Sequence, residues 1–196
     1  MNAWLALSRW IDGLSTKVGR IVYWLVLVVS LISAFNAAMR FTIDYSSNAW
    51  LEIQWYLFSA IFLLGGGYTL LRNEHVRIDV VSAHLSPRTR AWIDIFGLLL
   101  FVMPLCVMLV VLGVPYARFS YAVGEVSSNA GGLIRWPAKA LIPLGFALLG
   151  LQAVSELVKR VAYLAGRIDD PNERKGRSAE EELAMEMAAQ HGEVKP

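Results

Sequence analysis

Apolar residues are concentrated in four stretches of this chain, and shorter polar segments separate them. A helix needs roughly 17 to 25 residues to cross a bilayer, and each stretch is about that long. The stretches are residues 21–39, 55–71, 91–117 and 138–157. The pattern predicts an all-α integral membrane protein whose four transmembrane helices form one domain over residues 21–160.

Polar and apolar residues also alternate at helical spacing in residues 1–20, before the first span. Arg9, Asp12 and Lys17 fall largely off an apolar stripe. The stripe consists of Trp4, Leu7, Trp10, Ile11 and Leu14. This pattern predicts an amphipathic helix in the membrane interface, with both tryptophans at the level of the lipid headgroups. An ordinary amphipathic lead-in to the first span has the same pattern.

A second interfacial helix is predicted over residues 76–85, between the second and third spans, because apolar residues recur there at helical spacing. The next two residues are suited to a helix boundary. Ser86 can cap a helix, and Pro87 can occupy the first position of the helix that leads into the third span.

Basic residues are divided unevenly between the segments that flank the spans, and loops rich in Lys and Arg stay in the cytoplasm. One side carries Arg9, Lys17, Arg20, Arg72, Arg77, Arg88, Arg90, Lys159, Arg160, Arg167, Arg174, Lys175, Arg177 and Lys195. The other side carries Arg40, Arg118, Arg135 and Lys139. Both termini are therefore predicted to be cytoplasmic, and residues 161–196 are predicted to form a mobile charged tail there.

The composition supports a membrane protein and narrows the functions open to it. Charged residues make up 17% of the chain, against about 25% in soluble domains, which disfavours a soluble helical core. The net charge of +2 gives no reason to expect nucleic acid. Cys106 is the only cysteine, so neither an intramolecular disulfide nor a cysteine pair for metal or redox chemistry can form.

Ionisable residues of the spans lie near the span ends, at Glu52, Asp94 and Glu156, and the middle of the bilayer is predicted to be uncharged. This argues against a self-sufficient pump or ion-coupled carrier. Gln152 and Glu156 share a helix face, so they can bond to a neighbouring helix or line a polar seam.

Small residues in two spans permit another helix to approach closely. Gly65, Gly66 and Gly67 are consecutive in the second span, and Gly145 lies in the fourth. Small residues are typical of contacts between membrane helices. We therefore expect these spans to pack against a larger partner.

The cluster of Glu74, His75, Arg77 and Asp79 places four charged or titratable groups within six residues. A metal or proton site and a solvated or phospholipid-facing cluster are the two interpretations. The second is favoured, because the spacing matches no zinc pattern and the segment is predicted at the membrane surface. No cofactor or metal is predicted for this chain.

Five features in order along the chain resemble a known family. They are Glu52 before a span, the segment Arg72-Asn73-Glu74-His75-Val76-Arg77-Ile78-Asp79 after it, Gly124-Glu125-x-Ser127, Gly132-Leu133-x-x-Trp136-Pro137, and Ile142-Pro143-Leu144-Gly145. This order is similar to that of the small membrane subunit, DctQ type, of tripartite ATP-independent periplasmic (TRAP) transporters. The resemblance covers roughly residues 20–160.

The resemblance implies a subunit of an uptake system in a bacterial or archaeal cytoplasmic (inner) membrane. A periplasmic binding protein would deliver an organic acid to a large membrane subunit, which carries it with a coupling ion, usually Na⁺, by an elevator-like movement. The small subunit would scaffold the large one, in contact with membrane lipids. Na⁺ is then expected in the large subunit and not in this chain.

The resemblance and the predicted topology together give three groups of candidate residues. Contact with the binding protein is expected at Glu125, Ser127, Gly132, Leu133, Trp136 and Pro137. Contact with the large subunit is expected at Gly65, Gly66, Gly67, Gly145, Gln152 and Glu156. A cytoplasmic brace or lipid contact is expected at Trp4, Trp10, Glu52, His75, Arg77, Asp79 and Arg88.

The main alternative is a self-sufficient homo-oligomeric channel or exporter. It requires a polar pore lined by repeated copies of one span, for which the sequence offers Asn36 and the face shared by Gln152 and Glu156. A membrane enzyme is a third reading, but the three histidines form no catalytic arrangement with a Ser, Cys or Asp.

Overall fold

The computed structural model describes residues 2–45, 47–72 and 85–169. Within these ranges the fold is helical, without strands, and four helices are long and apolar enough to cross a membrane. The helices are α1 (Asn2–Ile43), α2 (Asn48–Arg72), α3 (Pro87–Ala122) and α4 (Trp136–Leu164). The predicted all-α architecture with four spans is confirmed.

Helix α4 is the centre of the bundle. In its most apolar window 33% of the residues are buried within the chain, against 6 to 11% for the other three helices. It packs against α1, α2 and α3, and α1 also packs against α2. The outer faces of α1 and α3 therefore carry many exposed large apolar side chains, as expected for surfaces that face lipid or a membrane partner.

Helix α1 is continuous over 42 residues, where the sequence predicted an interfacial helix over residues 1–20 and a separate span after it. At about 1.5 Å per residue it is about 63 Å long, roughly twice the bilayer core. No proline interrupts it, and Gly13 and Gly19 each weaken a helix by only about 1 kcal/mol. Gly19 has a packing role, because a Cβ there would lie 2.5 Å from the Tyr68 ring of α2.

The start of α3 confirms the predicted helix boundary. Ser86 is the N-cap, and its hydroxyl accepts a hydrogen bond from the backbone N–H of Thr89 at 3.2 Å, while Pro87 opens the helix. Further along, the segment Leu98–Val102 is π-helical. Pro104 follows it and has no N–H to donate, so a wider turn before the proline accommodates its ring.

The bundle has two distinct ends. One end brings together the start of α1, the end of α2, the start of α3 and the end of α4; we call it the terminal end, because the N-terminus lies there. The other brings together the turn between α1 and α2 and the loop between α3 and α4; we call it the loop end. Residues 73–84, which include all but the last residue of the predicted interfacial helix (76–85), and residues 170–196 of the predicted tail lie outside the described part of the chain.

Candidate functional site

Residues 123–135, between α3 and α4, form a compact hairpin-like loop. Val126 and Ile134 make an isolated antiparallel bridge, and the N–H of Ser127 donates to the Leu133 carbonyl at 2.9 Å. Gly124 and Gly131 adopt φ angles of +62° and +69°, which other residues rarely adopt. The glycines of this segment therefore permit the two tight turns that close the loop.

Glu52 of α2 fixes this loop to the bundle. Only 3% of its surface is exposed. One carboxylate oxygen accepts hydrogen bonds from the Ser127 hydroxyl and, at 2.8 Å, from the Asn129 amide. The other accepts from the backbone N–H of Leu133 at 2.7 Å. These three donors are uncharged and all come from the loop, so this carboxylate sets the position of the loop on the helices.

Gly132 lies where the loop presses against Glu52. A Cβ at this position would lie 2.5 Å from the Ser127 Cβ and 2.9 Å from the Glu52 carboxylate. A glycine is therefore required sterically. The grouping of Glu52 with the cytoplasmic brace is corrected here: Glu52 lies near the start of the helix that Arg72 ends, and therefore at the loop end.

The charged residues of the loop pair with the start of α4. Glu125 accepts a hydrogen bond from Lys139 and lies 3.7 Å from an Arg135 nitrogen. The hydrogen bond from Lys139 is the main reason why the pKa of Glu125 lies below its usual value. Lys139 also lies 4.1 Å from the ring centre of Tyr116 in α3. The loop is thus tied to α3 and α4 as well as to α2.

The six residues predicted to contact a binding protein all lie in or beside this loop. Trp136 begins α4 and its ring packs edge-on against Tyr121, with ring centres 5.4 Å apart; Pro137 follows it. Ser127 is buried and Leu133 is half-buried, so their role is structural. The exposed large apolar side chains of the loop are instead Val123 at 56%, Val126 at 59% and Ile134 at 50%, and the last two lie side by side at the bridge.

Sequence reasoning missed this exposed pair and also the role of Asn129. Val126 and Ile134 are eight positions apart and come together only through the bridge, which no spacing rule of the sequence announces. The sequence drew attention to the polar residues around Val126. These residues hold the loop in place through hydrogen bonds to Glu52 and Lys139.

At the terminal end, a buried polar network joins α1 to α4. Gln152 accepts a hydrogen bond from the Ser15 hydroxyl at 2.6 Å and donates to the Asp12 carboxylate at 2.9 Å. Ser155 donates to the same carboxylate at 2.7 Å, and its hydroxyl lies 2.7 Å from that of Ser8. Polar side chains of one face of α1 are therefore matched by polar side chains of α4.

Ion pairs extend this network to α3. Lys159 lies 3.1 Å from Asp12 and 2.5 Å from Glu156, and it is mostly buried. Arg160 pairs with Glu156 in the same helix and with Asp94 of α3 at 2.9 Å. Glu156 is 1% exposed and Arg160 is 3% exposed. Three helices are thus joined by charges that the chain itself encloses.

This network corrects part of the predicted large-subunit interface. Gln152 and Glu156 are buried inside the chain, as are Gly67 and Gly145, so none of them can face another subunit. Gly145 packs against α2 so closely that a Cβ would lie 2.6 Å from the Leu63 carbonyl oxygen. The alternative reading, that this face of α4 bonds to a neighbouring helix, is the one the structure supports. Gly65 and Gly66 are half-buried beside a cavity, and their proposed contact with the large subunit stays a prediction.

The remaining candidates lie at the terminal end or outside the described residues. Trp4 and Trp10 are 59% and 64% exposed, and Arg88 is exposed in the first turn of α3. His75, Arg77 and Asp79 lie outside the described part of the chain. Among the described residues, no group of three or more His, Cys, Asp or Glu side chains could hold a metal ion.

Comparison with known proteins identifies the family. Residues 29–162, more than half of the chain, match the family model described as "Tripartite ATP-independent periplasmic transporters, DctQ component". Searches of curated proteins and of solved structures find no match. The match covers the second part of α1, all of α2 and α3, the loop end and nearly all of α4, including the α4 part of the buried network. The chain therefore belongs to the DctQ family, and is a small membrane subunit of a TRAP transporter.

Proposed function

We propose that this subunit is a rigid scaffold for the large membrane subunit, in a system that takes up an organic acid and is driven by an ion gradient, with Na⁺ as the expected ion. The large subunit would move substrate by an elevator-type motion, and the coupling ions would bind there. The family is a transporter family and not an enzyme family. TRAP systems of this family combine such a small subunit with a large one and a periplasmic binding protein.

The observation that carries this proposal is that both ends of the bundle are locked by buried polar contacts. Glu52 fixes the loop end through three hydrogen bonds, and the network around Glu156 joins α1, α3 and α4 at the terminal end. A moving transport domain needs a partner that stays still. A bundle whose two ends are both fixed by buried polar contacts is suited to be that stationary partner.

The binding protein would dock at the loop end, on the exposed pair Val126 and Ile134. Two apolar side chains on a fixed loop form a small preorganised surface, and preorganised surfaces lose little entropy on binding. Around them, Arg135 provides an exposed charge with 47% of its side chain accessible. In this proposal the loop end faces the periplasm and the terminal end the cytoplasm, in agreement with the basic residues near the terminal end.

The channel alternative is weakened by the packing. It relied on Asn36 and on the face shared by Gln152 and Glu156 as pore-lining residues. Gln152 and Glu156 are enclosed within the bundle, whereas Asn36 is half-buried on α1. Of the candidate pore-lining residues, a pore along a subunit contact could therefore use Asn36 but neither Gln152 nor Glu156.

Uptake into proteoliposomes tests the proposal. Three preparations would be reconstituted: the chain alone, the large subunit alone, and both together with the binding protein. Labelled organic acids would then be added outside the proteoliposomes under an inward Na⁺ gradient. Uptake is expected only when all components are present. Uptake or ion leakage by the chain alone would contradict the scaffold role.

A loop variant separates docking from assembly. Val126→Asp is expected to lower uptake strongly while the variant still co-purifies with the large subunit, because most of the Val126 side chain is exposed and the bridge to Ile134 is made by the backbone. Tyr45→Asp, which places the same new charge on an exposed residue of the α1–α2 turn, is the control and should keep most of the uptake. Equal losses for both variants would argue against docking at Val126.

A further inference from the structure

A cavity of about 590 Å³ lies between α1, α2 and α4, and nothing in the proposed function uses it. Its walls include Val22 and Tyr23 of α1, Phe62 and Gly66 of α2, and Leu149 of α4. Glycines create the space: a Cβ added at Gly66 would have no neighbour closer than 4.0 Å.

The wall of this cavity is apolar along its length. The hydroxyl of Thr69, which lines it, donates to the backbone carbonyls of Gly65 and Gly66 at 3.0 and 3.1 Å and is thereby satisfied within its own helix. The lining runs over residues 19–26 of α1 and 61–69 of α2, about 10 to 12 Å along the helix axes. The cavity therefore reaches from the middle of the bundle towards the terminal end.

Basic side chains lie at the terminal end of the cavity. Tyr68 forms part of its wall, and Arg72 donates a hydrogen bond to the Tyr68 hydroxyl at 2.9 Å and lies 5.4 Å from the ring centre. Arg20 is exposed and precedes Tyr23 by three positions, so it shares that residue's side of α1. Positive charge is thus placed where the cavity approaches the membrane surface.

We infer that this cavity is a binding site for one acyl chain of an anionic phospholipid whose phosphate lies beside Arg20 and Arg72. The polarity runs in the right direction, with positive charge near the surface and apolar walls towards the bilayer centre. Basic pockets between transmembrane helices on the cytoplasmic side bind lipid headgroups by the same chemistry.

Native mass spectrometry of the purified full chain tests this inference, with added phosphatidylglycerol as the probe. The wild type is expected to retain one bound lipid through detergent exchange. Gly66→Leu is expected to abolish retention, because its side chain fills the space that the acyl chain would take. Gly97→Leu is the matched control: its Cβ has no atom within 4 Å, it lies on α3 away from the cavity, and it should retain the lipid.

The headgroup contact has its own variant and probe, which also covers the case that Gly66→Leu fails to fold. Arg20→Gln changes an exposed side chain and should lower phosphatidylglycerol retention about fivefold, the effect of removing one basic residue near a membrane surface. Retention of diacylglycerol, which has no phosphate, should not change.

Two results would overturn the inference. The first is lipid retention by Gly66→Leu equal to that of the wild type; if this variant also fails to co-purify with the large subunit in a separate pull-down, the cavity is a site for a partner helix. The second is an equal effect of Arg20→Gln on both lipids.

Discussion

Glu52 and Glu156 are both buried carboxylates, yet the two ends of the bundle satisfy them differently. Glu52 accepts hydrogen bonds from a hydroxyl, an amide and a backbone N–H, all of them uncharged. Glu156 is paired with Lys159 and Arg160 of its own helix. One carboxylate organises a loop, and the other is one member of a set of charges that joins three helices.

The difference indicates what each end can tolerate. Removing Glu156 leaves two enclosed cations with one carboxylate each, Asp12 for Lys159 and Asp94 for Arg160, whereas removing Glu52 leaves neutral donors at the edge of a loop. A buried charge that loses a partner costs more than a neutral donor that loses one. The terminal end should therefore govern the stability of the whole bundle, and the loop end should govern only the order of residues 123–135.

The largest expected effect is at Glu156. Glu156→Ala should lower the free energy of unfolding by about 3 kcal/mol, the lower end of the cost of breaking a buried ion pair, because Lys159 and Arg160 lose this carboxylate but keep Asp12 and Asp94. Thermal or denaturant unfolding in a mild detergent measures this. Arg9→Ala, which removes an exposed charge on α1, is the control and should change stability by less than about 0.5 kcal/mol. Similar values for the two variants would mean that the network adds little.

Gly132→Ala should have the next largest effect, at the loop end. The new methyl group would collide with Ser127 and Glu52, and overpacking of this kind typically costs about 1 to 3 kcal/mol. Limited proteolysis should show faster cleavage within residues 123–135. Gly13→Ala, where the added Cβ has no neighbour within 4 Å, should leave the cleavage rate unchanged. An unchanged rate in Gly132→Ala would show that the loop moves aside freely.

Glu52→Gln should loosen the loop without unfolding the helices. A glutamine keeps one acceptor oxygen, but its NH₂ group takes the place of the other oxygen. At least one of the three groups that donate to Glu52 then faces another donor and loses its hydrogen bond. Hydrogen exchange of the Leu133 amide should speed up by about tenfold, the effect expected for loss of one charge-assisted hydrogen bond. Exchange in the middle of α4 should stay as in the wild type. If α4 were equally affected, the two ends would not be independent.

The smallest effect concerns Glu125 and depends on pH. Its pKa is lowered in the folded protein by the hydrogen bond from Lys139, so the contribution to stability is present above the usual glutamate pKa. That contribution is lost as the pH falls through the lowered value. The stability difference between the wild type and Glu125→Gln should therefore be constant near neutral pH and vanish in acid. In about 1 M salt the difference should shrink, because the pair is partly exposed.

The sequence predicted the spans and one helix boundary well, because both depend on local signals. Long apolar runs announce membrane helices, and Ser86 followed by Pro87 announces a helix start. For residues 1–20 the sequence left two possibilities open, a separate interfacial helix and a lead-in continuous with the first span, since both share one periodicity. No residue between positions 14 and 21 indicates whether the chain bends there or continues as one helix.

The partners of the buried carboxylates were harder to predict, for reasons that differ between the ends. At the loop end, one donor to Glu52 is the backbone N–H of Leu133, 81 positions away, and backbone groups leave no trace in a sequence. At the terminal end a signal did exist. Ser8, Asp12 and Ser15 are spaced four and three apart, which puts them on one face of α1. A helix that faced only lipid would not carry such a polar face.

The length of α1 makes it a stiff lever. Rotating a straight rod of about 63 Å by ten degrees sweeps its far end through about 11 Å. A hydrogen bond tolerates only a few tenths of an ångström, so such a rotation would break the Asp12–Lys159 contact long before it was complete. Helix α1 therefore cannot tilt in the bilayer while the Asp12–Lys159 contact remains intact. A fluorescent label near the N-terminus could follow such a tilt during transport.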